Sequence, residues 1–200
     1  NALADGRLSL DKKLDSFRQV LDDAGLPLVL RVTPFSPPVD LDQRLAERDY
    51  ASIDDTRVMV CAELPDLANE AWPEGVTLQR LGHSAFAHTV GQLRGSPLAQ
   101  QQAHAQRLEL SPVLFEGWAL RRADDGQVFA CGQIAREGDM VGLYDVFTAE
   151  ADRGQGWSTR LCAYLLGMTR QQGARIGYLQ VDAGNTPARR VYQRLGFTDG

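Results

Sequence analysis

The sequence predicts an α+β fold in which a mostly antiparallel sheet is flanked by helices, and three observations carry that expectation. Leu114–Arg122 and Gln127–Ala135 are strand-like runs joined by the turn Ala123-Asp-Asp-Gly126, a hairpin signature. Met140–Thr148 follows as a third strand, and a helical stripe of Trp157, Leu161, Tyr164, Leu165 and Met168 then leads to a further strand, Ile176–Val181. Composition supports a packed core: of 200 residues 44% are hydrophobic and 24% charged, and a chain this long buries roughly 70% of its unfolded surface.

In chain order, Leu10, Leu14, Phe17, Val20 and Leu21 lay an apolar stripe along a helix ending at Gly25. Pro27 introduces a short strand, Leu28–Val32. Asp40 is a favourable N-cap for a helix that carries Leu41 and Leu45 and ends near Tyr50. Thr56–Leu64 is the next strand, and segment 65–75, with Pro65-Asp66 and Trp72-Pro-Glu-Gly75, has the composition of a linker. Past it, Val76–Leu81 alternates like a strand, and Ala85, Phe86, Thr89, Val90 and Leu93 form a helical stripe. Ser96-Pro97 opens a second helix, with serine as cap and proline in the first turn. The last helix spans Thr186 to Leu195.

An internal echo organises these elements. Helix, Gly25, strand, helix and Asp49-Tyr50 parallel helix, Gly173, strand, helix and Gly196-Phe197. Aligned on those endings, Leu45 falls where Tyr192 stands, and nothing before Ser9 corresponds to 153–158. The expected organisation is a degenerate partial copy over 1–64, a linker over 65–75 and the functional domain over 76–200. Of 19 glycines, 12 lie from Gly126 onward, so close backbone approach is expected in that domain. The Asn-Ala start, without methionine, points to a chain that begins inside a longer protein or after an added segment.

Several function classes are disfavoured. The net charge is −5 with scattered basic residues, against a nucleic-acid partner, and no apolar run reaches the ~18 residues of a membrane span. Cys61, Cys131 and Cys162 are odd in number and far apart, which argues against a disulfide framework or zinc ribbon and for a reducing, cytoplasmic setting. His83 and His88 are five apart, the wrong spacing for two ligands on one helical face, and no metal site is expected. His104 is set aside with them, since no Asp or Cys cluster joins the histidines.

Strand 141–148 runs through an acidic turn into Arg153-Gly-Gln-Gly-Trp-Ser158, which opens the long helix. A helix's first turn leaves backbone N–H groups unpaired, and glycines let a phosphate approach them. A dinucleotide fingerprint would need glycine where Thr159 stands, and a Walker A loop would need Gly-Lys-Ser/Thr, which is absent. The second block is Tyr178-Leu-Gln-Val181, then Asn185, Ala188, Tyr192 and Leu195-Gly-Phe197. Ala188, Val191, Tyr192 and Leu195 share one helical face, with Asn185 at the helix entrance. A tyrosine on such a face also reads as a core residue with a satisfied hydroxyl.

In this order the two blocks resemble those of the GNAT N-acetyltransferase superfamily. Its Gln/Arg-x-x-Gly-x-Gly/Ala loop is matched by Arg153, Gly154, Gln155, Gly156, Trp157 and Ser158, with Ser158 in place of the usual small residue. Its Asn-x-x-Ala-x-x-x-Tyr-x-x-x-Gly-Phe block is matched at every named position. The resemblance covers 76–200 and implies the acyl-CoA N-acyltransferase-like fold, a mixed sheet whose strands 141–148 and 176–181 part toward their ends. It implies acetyl-CoA as cosubstrate in that gap, and a tandem-type member with a truncated N-terminal copy. Val146, Phe147 and Thr148 would line the pantetheine arm. Arg153, Gly154, Gln155, Gly156, Trp157, Ser158 and Thr159 would receive the pyrophosphate, and Asn185 would contact the cofactor near the thioester. Arg189 and Arg190 are read first as a solvated helix face and second as partners of the adenine-end phosphate.

For catalysis, the resemblance implies Tyr192 as proton donor to the departing thiolate, with backbone N–H of Val146 or Phe147 holding the oxyanion. Some members carry a glutamate where Gln180 stands, and Gln180 cannot take a proton. Asp145, directly or through water, is the expected base, Asp182 is the second choice, and a structural acceptor is the competing reading of Asp145. The implied acceptor is a primary amine of a small molecule or peptide attacking the thioester directly. His83 is the one histidine weighed as an acceptor-pocket residue, below a surface role. The alternative function is a noncatalytic acyl-CoA-binding or assembly module, and a homodimer is compatible with either. Only Thr198–Gly200 remain for the family's final strand, so Thr56–Leu64 is expected to fill the open sheet edge.

Overall fold

The computed structural model describes residues 3, 6–66 and 71–200; residues 67–70 of the expected linker lie outside the described residues. Backbone contacts divide the chain into 1–54 and 55–200, so the break falls ahead of the strand at Thr56 and not in segment 65–75.

In the first unit, α1 (Leu10–Asp23) starts at Ser9, whose hydroxyl accepts from the Lys12 N–H, and α2 spans Leu41–Ala46. Leu3, Leu14, Leu41 and Leu45 form its core, with Phe17, Leu28, Leu30 and Tyr50 around them. Val20, expected on the buried stripe, is exposed. Leu28–Val32 is not a strand: Leu28 and Leu30 turn to the core in alternation, but among the described residues no strand offers a ladder. Asp40 stands at the N-cap of α2 without capping it, because its carboxylate pairs with Arg44 at 2.9 Å.

The second unit holds a seven-stranded sheet in the order β2-β3-β4-β5-β6-β1-β7. Its strands are β1 (Thr56–Cys61), β2 (Val76–Leu81), β3 (Phe115–Arg122), β4 (Val128–Glu137), β5 (Met140–Thr148), β6 (Ile176–Asp182) and β7 (Thr198–Asp199). Every pairing is antiparallel except β5 with β6, which the crossover helix α5 (Trp157–Gln171) joins in parallel. Helices α3 (His83–Arg94) and α4 (Leu98–Leu110) cover one face through Phe86, Val90, Ala105 and Leu108. Pro97 is the N-cap of α4, one residue later than the serine expected there. On the other core, α5 and α6 (Thr186–Arg194) bury Leu161, Leu165, Leu166 and Tyr192 with Leu143, Leu179 and Phe197.

The echo extends to hydrogen bonds. Gly25 and Gly173 are both left-handed, and the following N–H groups, of Leu26 and Ala174, donate to Leu21 and Thr169. Asp49 and Gly196 are likewise left-handed, and the N–H groups of Tyr50 and Phe197 donate to Leu45 and Tyr192. Both caps satisfy carbonyls that a helix end would leave open.

β1 fills the open edge as expected. It pairs with β6 from Thr56↔Asp182 to Cys61↔Gly177 and with β7 at Met59↔Asp199 and Val60↔Thr198. Alternation sends Met59 and Cys61 into the core and leaves Val58 exposed. Met59→Ala is expected to cost about 2–5 kcal/mol in urea unfolding, whereas Val58→Ala stays within about 0.5 kcal/mol.

Candidate active site

The site begins with a count. On β4 and β5, Gln133 opposes Tyr144 and Cys131 opposes Phe147, so Asp145 and Val146 together face Gly132. That is a bulge of one residue, and Asp145 adopts φ +48° to make it. A Cβ on Gly132 would lie 3.4 Å from the Val146 side chain, in ordinary contact with it. The bulge turns β5 from β6: their pairing stops at Leu143↔Leu179, although β5 continues to Thr148 and β6 to Asp182. The facing edges beyond that point offer backbone donors and acceptors to an extended ligand.

The end of β5 leads to the glycine loop. Gly154 and Gly156 have φ +78° and +83°, and a Cβ on either would meet nothing within 4 Å, so backbone conformation and not packing demands glycine. Gly156 is the N-cap of α5 and no side chain caps it; the Arg160 N–H is the donor that reaches the Gly156 carbonyl. The N–H groups of Trp157, Ser158 and Thr159 are therefore uncommitted among the described residues, at the positive end of a 15-residue helix. Thr148 and Ser158 hydroxyls bond at 2.8 Å and tie the strand end to this turn. Trp157 lies edge-on to Phe129 and donates to Gln155 Oε1 at 3.2 Å. Arg153 donates to the Thr148 carbonyl and lies 5.4 Å from the Phe147 ring centre. These residues fit a diphosphate: open backbone donors, no Cβ in the way and a fixed turn.

Tyr192 is 8% exposed and lies 6.2 Å from the Phe197 ring. Burial pushes its pKa above the ordinary value, so it is a neutral donor at physiological pH. Asn185 N-caps α6, its Oδ1 accepting from the Ala188 N–H at 3.2 Å. Arg189 is held by Asp199 at 2.7 Å, whereas Arg190 is exposed. Gln180 is exposed, and Asp182 accepts from the Gly184 N–H in its own turn.

Asp145 is enclosed. Its Oδ1 is 2.9 Å from Arg94 Nη1, and its Oδ2 accepts from Gln133 Nε2 at 2.8 Å and lies 3.3 Å from His104 Nε2. Sequence reasoning missed Arg94, Gln133 and His104. The spacing of Gln101, His104, Ala105 and Leu108 was the available signal, because it puts His104 on the inward stripe of α4. It also missed the pair of phenols Tyr144 and Tyr178, bonded at 2.8 Å across the parting strands with Phe115 edge-on to Tyr144. Below the bulge, Cys131 is fully buried and its thiol is pushed up to about 12, so it supplies no thiolate for an acyl-enzyme. Among the described residues no His/Cys/Asp/Glu group is arranged to hold a metal, and no helix is long and apolar enough to cross a membrane.

A mixed sheet parted at its centre, with an uncapped glycine-led helix at the end of the parting strand, is the acyl-CoA N-acyltransferase-like architecture. The chain belongs to the Acetyltransferase (GNAT) family, whose model matches residues 88–197. It is 24% identical over 176 residues to an uncharacterized N-acetyltransferase, YobR, of Bacillus subtilis, covering 87% of this chain and 70% of that one. Against an aminoglycoside N(6')-acetyltransferase of Serratia marcescens it is 30% identical over 89 residues, 40% of this chain and 61% of the enzyme. In fold it is similar to a GCN5-related N-acetyltransferase from Sphaerobacter thermophilus, with TM-score 0.68 and 22% identity over 96% of this chain and 65% of that one. A tandem GNAT protein from the clavulanic acid biosynthesis pathway matches with TM-score 0.68 and 15% identity, over 94% of this chain and 66% of that one. The chain thus spans less than two thirds of the aminoglycoside enzyme and of both of these structures.

Of five tyrosines, burial raises Tyr192, and burial with the Tyr178 hydroxyl raises Tyr144. Both keep their protons past the ordinary value of about 10, where the unfolded chain loses them, so their contribution to stability is full below that pH and is lost above it. Ultraviolet titration should show two late-ionising phenols, and Tyr144→Phe and Tyr192→Phe should each remove one.

Proposed function

We propose that the protein is an acetyl-CoA-dependent N-acetyltransferase whose acceptor is a primary amine attacking the thioester directly. The observation that carries this reading is the conjunction of a bulge-opened gap between β5 and β6 with the uncapped start of α5 at the end of β5. In this reading, uncommitted N–H groups of Trp157 to Thr159, with the Arg153–Gly156 turn, bind the diphosphate. Val146, Phe147 and Thr148 line the arm, and Asn185 sits near the thioester. The bulge supports an oxyanion site at the Val146 or Phe147 N–H, because it takes that stretch of backbone out of regular pairing. Tyr192, kept neutral by burial, gives its proton to the sulfur. Asp145 belongs to the proton-accepting side. The buried cysteines favour direct transfer over an acyl-enzyme.

The serine and threonine hydroxyls at the helix start add donors without charge, and the net charge of −5 favours a cationic acceptor in steering. The aminoglycoside relative is consistent with an amine acceptor of that kind. The matching helix ends of the two units support reading the N-terminal segment as the remnant of a second copy. Gln180, where some members carry a carboxylate, favours the second reading, a noncatalytic acyl-CoA binder.

Coenzyme A at a hundred times its dissociation constant should stabilise the protein by about 2.7 kcal/mol, read as a rise in melting temperature. With a panel of amines and acetyl-CoA, and with uncoupled hydrolysis subtracted, thiol release should fall at least about tenfold in Tyr192→Phe while the coenzyme A shift persists. No shift at saturating coenzyme A sinks the proposal. A shift with no turnover in either protein leaves the binder.

A further inference from the structure

We propose that His104, and not Asp145, takes the acceptor's proton, with Asp145 as the positioning residue that orients the imidazole; this rests on the acetyltransferase reading above. The first ground is that Asp145 is already committed. One oxygen pairs with Arg94 at 2.9 Å and the other accepts from Gln133 at 2.8 Å, so a proton taken there would break an ion pair or a hydrogen bond. The alternatives are poorer: Gln180 has no basic atom, and Asp182 is spent on the Gly184 turn.

The second ground is the geometry of the ring. His104 Nε2 faces Asp145 Oδ2 at 3.3 Å with its side chain 16% exposed. A carboxylate beside Nε2 favours the tautomer that carries the ring hydrogen there, which leaves the Nδ1 lone pair to take a proton. The groups facing this ring are Asp145 from β5, Arg94 from α3 and Arg107 from its own helix, with the neutral Gln133 of β4 beside the carboxylate. Burial and the two arginines favour the neutral imidazole, Asp145 opposes them, and the balance lies below the ordinary histidine value. The ring is therefore a free base at neutral pH.

The third ground is where the pair sits. Asp145 is the left-handed residue of the bulge, a conformation side chains rarely adopt, and three side chains from α3, α4 and β4 hold it there. The next residue is Val146, whose N–H is proposed for the oxyanion. One distortion thus sets proton acceptor and oxyanion donor side by side. In the step, the ammonium gives one proton to His104 Nδ1, and from there it passes to water. The nitrogen then bonds to the thioester carbon, the C–S bond breaks, and the second nitrogen proton ends on sulfur through Tyr192. The balance is acetylamide, free thiol and one released proton.

The test is the pH dependence of kcat/KM with an amine of pKa above 9. The native enzyme should lose activity along an acid limb below the ordinary histidine value of about 6.5. His104→Gln should lose that limb and at least about 100-fold in kcat, while keeping the coenzyme A melting shift and the KM for acetyl-CoA. Asp145→Asn removes the one group that raises the imidazole, so the limb should move to lower pH. Arg107→Gln, an exposed change that leaves the fold intact, should move it to higher pH, more at low salt than at high. His104→Gln that retains the limb with kcat within threefold overturns the proposal, as does an unmoved limb in Arg107→Gln at low salt. Either result in an active enzyme leaves the acetyltransferase reading standing. A native protein without coenzyme A shift or turnover sinks both.

Discussion

The bulge in β5 is the constraint on which the rest of the site depends. Without the extra residue at Asp145–Val146, β5 would keep its ladder with β6 past Leu143↔Leu179, and no gap would open. The same residue changes which side chains face which layer. Leu143 belongs to the core under α5, whereas Tyr144 meets Phe115 and Asp145 meets Arg94 and His104, so two successive residues serve the α3–α4 side. A regular strand would alternate them. Beyond the bulge the alternation resumes, with Phe147 against the α3–α4 core and Thr148 bonded to Ser158 at the start of α5.

Two electrostatic environments follow from that one irregularity. At the loop end, backbone dipoles and uncapped N–H groups make a site for negative charge that needs no lysine. Arg153 adds a guanidinium held in place by the Thr148 carbonyl and the Phe147 ring, and Arg94 also lies 5.7 Å from that ring. On the α3–α4 side of the strand, paired phenols and a half-buried carboxylate–imidazole contact make a drier setting, where burial raises Tyr144 and lowers His104; Tyr192, also raised by burial, lies in the core under α5 and α6. The proposed amide formation would draw on this division: an anion held at the helix start, and neutral groups able to move protons elsewhere along the strand.

What the sequence disclosed follows from the range over which each feature is determined. The glycine loop, the Asn185–Phe197 block and the β3–β4 hairpin were legible because each is set by residues close in the chain: a left-handed position, helix spacing with a cap, a short turn. The first unit was legible as two helices with matching ends, but Leu28–Val32 was misread, since a strand exists only where a partner offers a ladder. Asp40 was misread for a similar reason, because Arg44 on the next turn competed for the carboxylate. The surroundings of Asp145 were hidden. They depend on a register count between β4 and β5, and on the docking of α4 against that face, neither of which is written in local periodicity. His104 was dismissed by comparing histidines with one another; the informative comparison was with Gln101, Ala105 and Leu108 on its own helix.

β1 explains how the sheet tolerates a gap at its centre. A strand that loses its partner on one side exposes a row of backbone groups and frays unless something holds the other side. β6 loses β5 beyond Leu179, yet Gln180, Val181 and Asp182 remain paired to Val58, Arg57 and Thr56. The Ala183 N–H continues that ladder to the Asp55 carbonyl, so the turn that presents Asn185 and starts α6 is fixed from the β1 side. β7 alone, two residues long and paired at Met59 and Val60, reaches none of these positions. β1 therefore belongs to the candidate site's architecture: it lets one edge of β6 stay open while the other edge keeps the strand, and the helix carrying Tyr192, in place.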